Sequence, residues 1–270
     1  MALDRSDLWA RLLGFLFFLP ILMPVLAGYP FILIGTGFAA IWVVYEACTL
    51  LGRGVSAHRR ILAICLIMGV FLLPILSESN MISSPLTLAI LASLTVGAYG
   101  LLGRGEAVFM LLLAATIYCL SYLSVRPDGA FMLISLAIII SASDIGAYFS
   151  GRMIGGPKLA PAFSPSKTWA GSIGGILFAL IAAEAALYGF WQMHLSAALG
   201  VLVVGLAILS QIGDLYESAM KRRLGIKDSG QLVPGHGGAL DRFDGYMTTL
   251  PVAAWVLASD IALLGNLQPQ

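Results

Sequence analysis

Aspartates near the ends of three apolar segments are the residues best suited to chemistry in this chain. In QIGDLYESAMKRR, helical spacing gives one polar face made of Gln211, Asp214, Glu217, Ser218 and Lys221. In SASDIGAYFSGR the same spacing gives a second face made of Ser141, Asp144, Tyr148 and Gly151. Asp241 and Asp244 lie three residues apart and point the same way if that segment is helical.

These acids predict a metal site. Carboxylates gathered in a poorly solvated place repel one another, and some would have to take up protons. A divalent cation removes that repulsion. Because no Cys or His cluster lies nearby, the oxygen ligands favour Mg²⁺ over Zn²⁺. The candidate acids are Asp144, Asp214, Asp241 and Asp244.

The residues around the acids are typical of a phosphate site. Positive charge comes from Lys158, Lys167, Lys221, Arg222, Lys227 and Arg242. Gly235, Gly237 and Gly238 would let backbone N–H groups approach an anion closely. His236 lies between these glycines, and we interpret it as a hydrogen-bonding residue rather than a general base.

The elements that must position these residues are membrane helices. The chain is 59% hydrophobic and 11% charged, with a mean hydropathy of +0.94, which is typical of an integral membrane protein. A span needs about 20 mostly apolar residues. We predict an all-α, polytopic protein with no strand and about nine spans, at 9–28, 30–51, 60–77, 84–103, 107–125, 129–151, 169–190, 196–221 and 246–265.

The distribution of Lys and Arg predicts the orientation. With the N-terminus in the cytoplasm, all but one of the 15 basic residues fall on the cytoplasmic side, and the exception is Arg126. Val25-Leu26-Ala27 resembles a signal cleavage site, but we expect this first helix to be retained because a second apolar run follows at once.

We predict one membrane domain, 1–270, in which 9–125 is a scaffold and 129–265 is the catalytic part. Its two cytoplasmic loops, 151–168 and 222–245, carry much of the predicted site. Three acids lie apart from the cluster and are interpreted as structural or interfacial: Glu46, Glu184 and Asp260.

The run from Ser218 to Asp244 resembles a family signature. It includes Lys221-Arg222, Lys227-Asp228, His236-Gly237-Gly238 and Asp241-Arg242-x-Asp244, and it is similar to the signature of the phosphatidate cytidylyltransferases, also called CDP-diglyceride synthases. Asp144-x-Gly146-Ala147-Tyr148 and Ser164-Pro165-x-Lys167-Thr168 match as well. The resemblance is sharp over roughly 141–171 and 211–247, and Ala170 departs from it where the family has glutamate.

The resemblance implies a reaction of CTP with phosphatidic acid that gives CDP-diacylglycerol and pyrophosphate, at the cytoplasmic face of the inner (plasma) membrane. It implies Mg²⁺ held by Asp214, Asp241 and Asp244. The implied catalytic set is Asp214, Lys221, Arg222, Lys227, Asp228, His236, Asp241, Arg242 and Asp244. The implied substrate-binding set is Asp144, Tyr148, Ser164, Lys167, Thr168, Ser218, Gly237 and Gly238.

The expected partners are CTP, phosphatidic acid and the lipid bilayer, with no nucleic acid; a homodimer is compatible with the sequence. Two alternatives stay open. Intramembrane carboxylates also mark ion-coupled transporters, although these acids lie at one face and no internal repeat is visible. A different CTP-dependent lipid kinase or transferase is the other alternative, and a kinase would release CDP instead of pyrophosphate. The D-G-x-x-A-R spacing of CDP-alcohol phosphotransferases is absent.

Overall fold

The computed structural model describes residues 19–76, 85–102, 107–192, 194–230 and 237–258. Almost all of this part is helical, which confirms the all-α prediction, with one exception in the loop 151–168. A two-stranded antiparallel hairpin lies there, so the prediction of no strand is wrong. Its strands are three and five residues long, too short for an alternating apolar pattern to mark them in the sequence.

Helices account for most of the described ranges. In chain order the elements are α1 (Leu19–Ala27), α2 (Ile32–Leu51), α3 (Ala57–Leu76), α4 (Pro85–Leu102), α5 (Ala107–Ser124), α6 (Gly129–Met153), β1 (Lys158–Ala160), β2 (Ser164–Thr168), α7 (Trp169–Trp191), α8 (Ala197–Arg223) and α9 (Leu240–Ala258).

Five of these helices, α2, α3, α6, α7 and α8, are long and apolar enough to cross a membrane. The protein is therefore a multi-pass membrane protein. The number of nine spans stays a prediction, because the first half of the predicted span 9–28 and the end of the span 246–265 lie outside the described residues. The orientation of the N-terminus also stays a prediction.

The chain divides into two compact units, and the first combines residues 1–130 with Ile226–Phe243. Its core is apolar and includes Ile67, Phe109 and Ile117. Buried hydroxyls bond within it: Ser121 Oγ donates to the Phe71 carbonyl at 2.5 Å, and Ser124 Oγ donates to Thr36 Oγ1 at 3.0 Å. These bonds satisfy polar groups that would otherwise be costly in an apolar interior.

The second unit consists of Phe131–Gly225 and the chain from Asp244 onward. Small residues allow α6 and α7 to pack closely within it. A Cβ placed on Gly171 would lie 2.8 Å from the Ala147 carbonyl oxygen, and one on Gly175 would lie 2.7 Å from the Ser143 carbonyl oxygen. The contact holds the start of α7 against the end of α6, where Asp144 lies.

The hairpin leads directly into α7. Its strands pair Lys158 with Thr168 and Ala160 with Ser164, and the Trp169 N–H donates to the Pro157 carbonyl at 3.1 Å. Thr168 is the N-cap of α7, and its hydroxyl accepts from the Gly171 N–H at 3.0 Å. The end of β2 and the first turn of α7 are therefore fixed together.

Candidate active site

An ion pair links the hairpin to α8 within the second unit. The Lys167 ammonium, at the end of β2, donates to Asp214 Oδ2. Ser218, one turn later in α8, donates to the other oxygen of Asp214 at 3.4 Å. Asp214 and Ser218 of the predicted polar face of α8 therefore meet, and the side chains of Asp214 and its partner Lys167 both remain partly accessible.

Two further aspartates act on this site. Asp244 lies in α9, ahead of the predicted span 246–265, and burial raises the pKa of its carboxyl above the ordinary value. The charge of Asp214 raises this pKa further, and Asp144 adds to it, while the Gly245 N–H and Lys167 act in the opposite direction. Asp244 of α9 therefore lies close enough to interact electrostatically with two other predicted acids, Asp214 of α8 and Asp144 of α6.

Glycines next to these aspartates set the distance between α8 and α9. A Cβ on Gly213 would collide with the Asp244 carbonyl oxygen and would lie 2.7 Å from Thr248 Oγ1. A Cβ on Gly245 would lie 2.6 Å from Ser210 Oγ. The Thr248 hydroxyl donates to the Leu209 carbonyl at 2.6 Å. The sequence pairs Gly213-Asp214 and Asp244-Gly245 thus place each acid beside the helix crossing.

Gln211, one turn before Asp214 in α8, connects three helices. The Ser172 hydroxyl donates to Gln211 Oε1, and Gln211 Nε2 donates to the Ser172 carbonyl at 3.1 Å. The same amide nitrogen lies 3.4 Å from Ser143 Oγ in α6. The α8 face pattern included Gln211, but only the structure gives it this role of holding α6, α7 and α8 together.

Lys221 belongs to a second, more buried pair on α8. Its ammonium donates to Glu217 Oε2 at 3.3 Å, and the two side chains are 12% and 0% exposed. Arg222 and Arg223 follow in the last turn, where cations interact favourably with the helix dipole. The predicted phosphate contact of Lys221 stays a prediction.

Asp241 belongs to the first unit and lies in the first turn of α9. Its carboxylate accepts from the Gly238 N–H at 2.9 Å and from the Ser229 N–H at 3.1 Å. Gly237 has a φ of +79°, a left-handed conformation that glycine adopts without strain. In this arrangement Asp241 fixes the backbones of Ser229 and Gly238, and its metal role stays a prediction.

The predicted substrate-binding residues also have structural partners. The Tyr148 hydroxyl accepts from Arg152 at 2.9 Å, Ser164 lies in β2, and Thr168 caps α7. Lys227, Asp228 and Arg242 are exposed. His236 lies outside the described residues. None of these positions tests the predicted contact with substrate.

The acids of the second unit offer carboxylate oxygens, the type of ligand that Mg²⁺ prefers. Among the described residues, no three His, Cys, Asp or Glu side chains lie close enough to hold a metal as they stand. Magnesium, however, is usually bound by one or two carboxylates together with substrate phosphates, and it keeps several waters. Asp214 and Asp244 supply such a pair.

Comparison with known sequences defines the class of the protein. Residues 9–260 match the Cytidylyltransferase family, and the chain belongs to that family.

Individual relatives match over a shorter part of the chain. A phosphatidate cytidylyltransferase of Brucella suis is 50% identical over 125 residues, which is 44% of this chain and 44% of the relative. One from Staphylococcus aureus is 44% identical over 128 residues, 47% of this chain and 49% of the relative. The aligned part of the chain spans less than half the length of these relatives.

Proposed function

We propose that the protein transfers a cytidylyl group from CTP to phosphatidic acid, giving CDP-diacylglycerol and pyrophosphate. One observation carries the proposal beyond family membership. Lys167 pairs with Asp214, and Asp244 interacts with both Asp214 and Asp144, so that charges from four different elements of a membrane protein meet. Such a set of fixed charges suits two polyanionic substrates.

The reaction needs positioning more than proton transfer. The nucleophile is a phosphate oxygen of the lipid, which is already ionised at neutral pH. It attacks the α-phosphorus of CTP, and the bond from that phosphorus to the bridging oxygen of the β-phosphate breaks. Because no strong base is needed, His236 is not required as one. Catalysis then depends on orientation and on stabilising negative charge.

The charged residues of the predicted site include proposed metal ligands and proposed phosphate-binding cations. Asp214 and Asp244 would hold Mg²⁺, and the sequence resemblance alone names Asp241 as a further ligand. The ion would neutralise charge that develops on the leaving pyrophosphate. Lys167 now pairs with Asp214 and would also attract a phosphate. The other cations offered to the phosphates are Lys221, Arg222, Lys227 and Arg242.

The lipid substrate explains the membrane setting. Its acyl chains would remain in the bilayer while its phosphate reaches the site at headgroup depth. We place the site at the cytoplasmic face of the plasma membrane because CTP is a cytoplasmic metabolite and because Lys and Arg are concentrated on the loops predicted there.

The fate of each phosphorus atom tests this function. Purified protein is incubated with Mg²⁺, phosphatidic acid and CTP labelled at either the α- or the γ-phosphorus. We expect α-label in the lipid and γ-label in pyrophosphate, with no product from diacylglycerol and none from Asp214→Asn. Transfer of γ-label to lipid with release of CDP would identify a kinase and contradict the proposal.

A further inference from the structure

Glu46 is a buried carboxylate on one of the long apolar helices. It lies in α2, five residues before that helix ends, and it is 3% exposed. An ionised side chain in such a helix is unfavourable unless it has specific partners, and it is usually functional. The composition of α2 does not account for it, since the helix contains no other charged residue.

The partners of Glu46 lie near both ends of one distant loop. Ser229 Oγ donates to Glu46 Oε1 at 2.9 Å, and the Leu240 N–H donates to Glu46 Oε2 at 2.9 Å. These two residues bracket the part of the signature that contains Gly237 and Gly238. All of them belong to the first unit. One carboxylate therefore joins the start of this loop to the first turn of α9.

Two glycines make room for this carboxylate. A Cβ on Gly230 or on Gly238 would collide with Glu46 Oε1. Neither glycine has a left-handed φ, so backbone conformation does not require glycine at these positions. The close approach of Glu46 does. Gly230 and Gly238 of the signature thus leave space for the Glu46 carboxylate.

We infer that Glu46 is a positioning residue for the reaction: it fixes Ser229 and Leu240, and so places the neighbouring glycines, Gly230, Gly237 and Gly238, where they can bind the nucleotide phosphates. This inference rests on the proposed function. Glu46 acts through the loop and touches no substrate. Its two oxygens fix the Ser229 hydroxyl and the Leu240 backbone, and Asp241 fixes the Ser229 and Gly238 backbones from the other side.

The experiment compares Glu46→Leu with Glu46→Gln. Leucine removes both acceptors at similar volume. Glutamine keeps one acceptor for the Leu240 N–H, and its NH₂ can donate to the Ser229 hydroxyl. We expect the KM for CTP to rise about tenfold or more in Glu46→Leu and less in Glu46→Gln, with the KM for phosphatidic acid nearly unchanged. Loss of folded protein alone would lower apparent kcat and leave both KM values unaltered.

Glu184→Leu is the matched control. Glu184 is also a carboxylate on a long apolar helix, α7, and it also accepts from a backbone N–H, that of Leu195 at 2.7 Å. We expect this variant to keep the wild-type KM for CTP. An unchanged KM in folded Glu46→Leu, or an equal rise in Glu184→Leu, would overturn the inference.

Gly230→Ala provides a second route that does not require Glu46→Leu to fold. The added methyl group should displace the Glu46 carboxylate and raise the KM for CTP in the wild type. In a Glu46→Ala background the space is vacant, so the same change should add little further loss. Fully additive losses would contradict coupling through this contact.

Hydrogen exchange separates this inference from the proposed function. In protein without substrates, the Leu240 amide should exchange faster in Glu46→Leu than in the wild type, in Glu46→Gln or in Glu184→Leu. Unchanged exchange would overturn the anchoring role. Absence of CDP-diacylglycerol from the wild type would contradict the proposed function, while the exchange result would still decide whether Glu46 holds the loop.

Discussion

Asp244 is an aspartate whose surroundings oppose its charge. Burial and the charges of Asp214 and Asp144 raise the pKa of its carboxyl, and the Gly245 N–H and Lys167 offset this only in part. A group with a raised pKa in the folded state favours folding most when it is protonated, below its pKa in the unfolded chain, about 3.9. That contribution is lost as the pH rises through the folded pKa. At pH 8, above the folded pKa of about 7, the ionised carboxylate therefore destabilises the fold.

Asp244→Asn should separate stability from activity. Removing the charge should raise the apparent thermal midpoint in detergent at pH 8, without Mg²⁺ or nucleotide, by roughly 2–4 °C. Turnover of CTP should fall on the order of 100-fold or more because the variant lacks one of the carboxylates proposed to hold Mg²⁺. Calorimetry and the labelled-CTP assay measure the two effects.

Added Mg²⁺ and CTP provide the control for this prediction. Ligands that bind only the folded state stabilise it, so they should raise the midpoint of the wild type more than that of Asp244→Asn. A variant that is less stable than the wild type without ligands, or that keeps full turnover, would refute the role given to Asp244. Asp241 is a poorer choice for this test because its carboxylate also orders the Gly238 and Ser229 backbones.

At the scale of the elements, the crossing of α8 and α9 determines how Asp214 and Asp244 face each other. Gly213 and Gly245 let the two helices touch, and Thr248 bonds the α8 backbone across the contact. A site built at such a crossing is held by rigid helices, which position side chains more accurately than loops do.

Gly213→Ala should therefore reduce activity although alanine favours helix. The new methyl group must displace the Asp244 carbonyl, and a shift of about 1 Å can lower the rate up to roughly 100-fold. We expect a fall in kcat/KM of about tenfold or more, measured by steady-state kinetics. Gly205→Ala, in the same helix with open space around the glycine, should retain activity. Equal activity of the two variants would show that the crossing does not set the site.

The helices and the site differ in how far the sequence predicts them. Long apolar runs predicted the major helices, and helical spacing predicted that Asp214, Ser218 and Lys221 share one face of α8. The bonds of Glu46 could not be predicted in this way, because its partners lie 183 and 194 residues away. The hairpin was missed because Pro, Ser and Lys in β2 do not form an apolar alternation.

At the scale of the whole molecule, the distribution of Lys and Arg predicts the topology in the membrane. Lys158 and Lys167 lie in the hairpin loop, whereas Arg126 is the basic residue assigned to the opposite side. Arg126 donates to Asp128 at 3.2 Å and to the Tyr122 hydroxyl at 3.2 Å, an arrangement suited to a membrane interface.

Cysteine labelling tests this topology. In a background without Cys48, Cys65 and Cys119, we introduce Ala162→Cys in the hairpin turn or Asp128→Cys in the α5–α6 turn. An impermeant maleimide should label Ala162→Cys from the cytoplasmic side and Asp128→Cys from the outside. The reverse pattern would invert the predicted orientation, and the cysteine-free parent controls for background.

The position of Thr168 limits where extra residues can be inserted into the hairpin. Its hydroxyl caps α7, and the preceding residue, Lys167, bonds Asp214. A single residue inserted between Lys167 and Thr168 would therefore turn the Lys167 ammonium to the opposite face of the strand. The exposed tip at 161–163 carries no such constraint. Natural insertions, epitope tags and reporter peptides therefore belong at the tip.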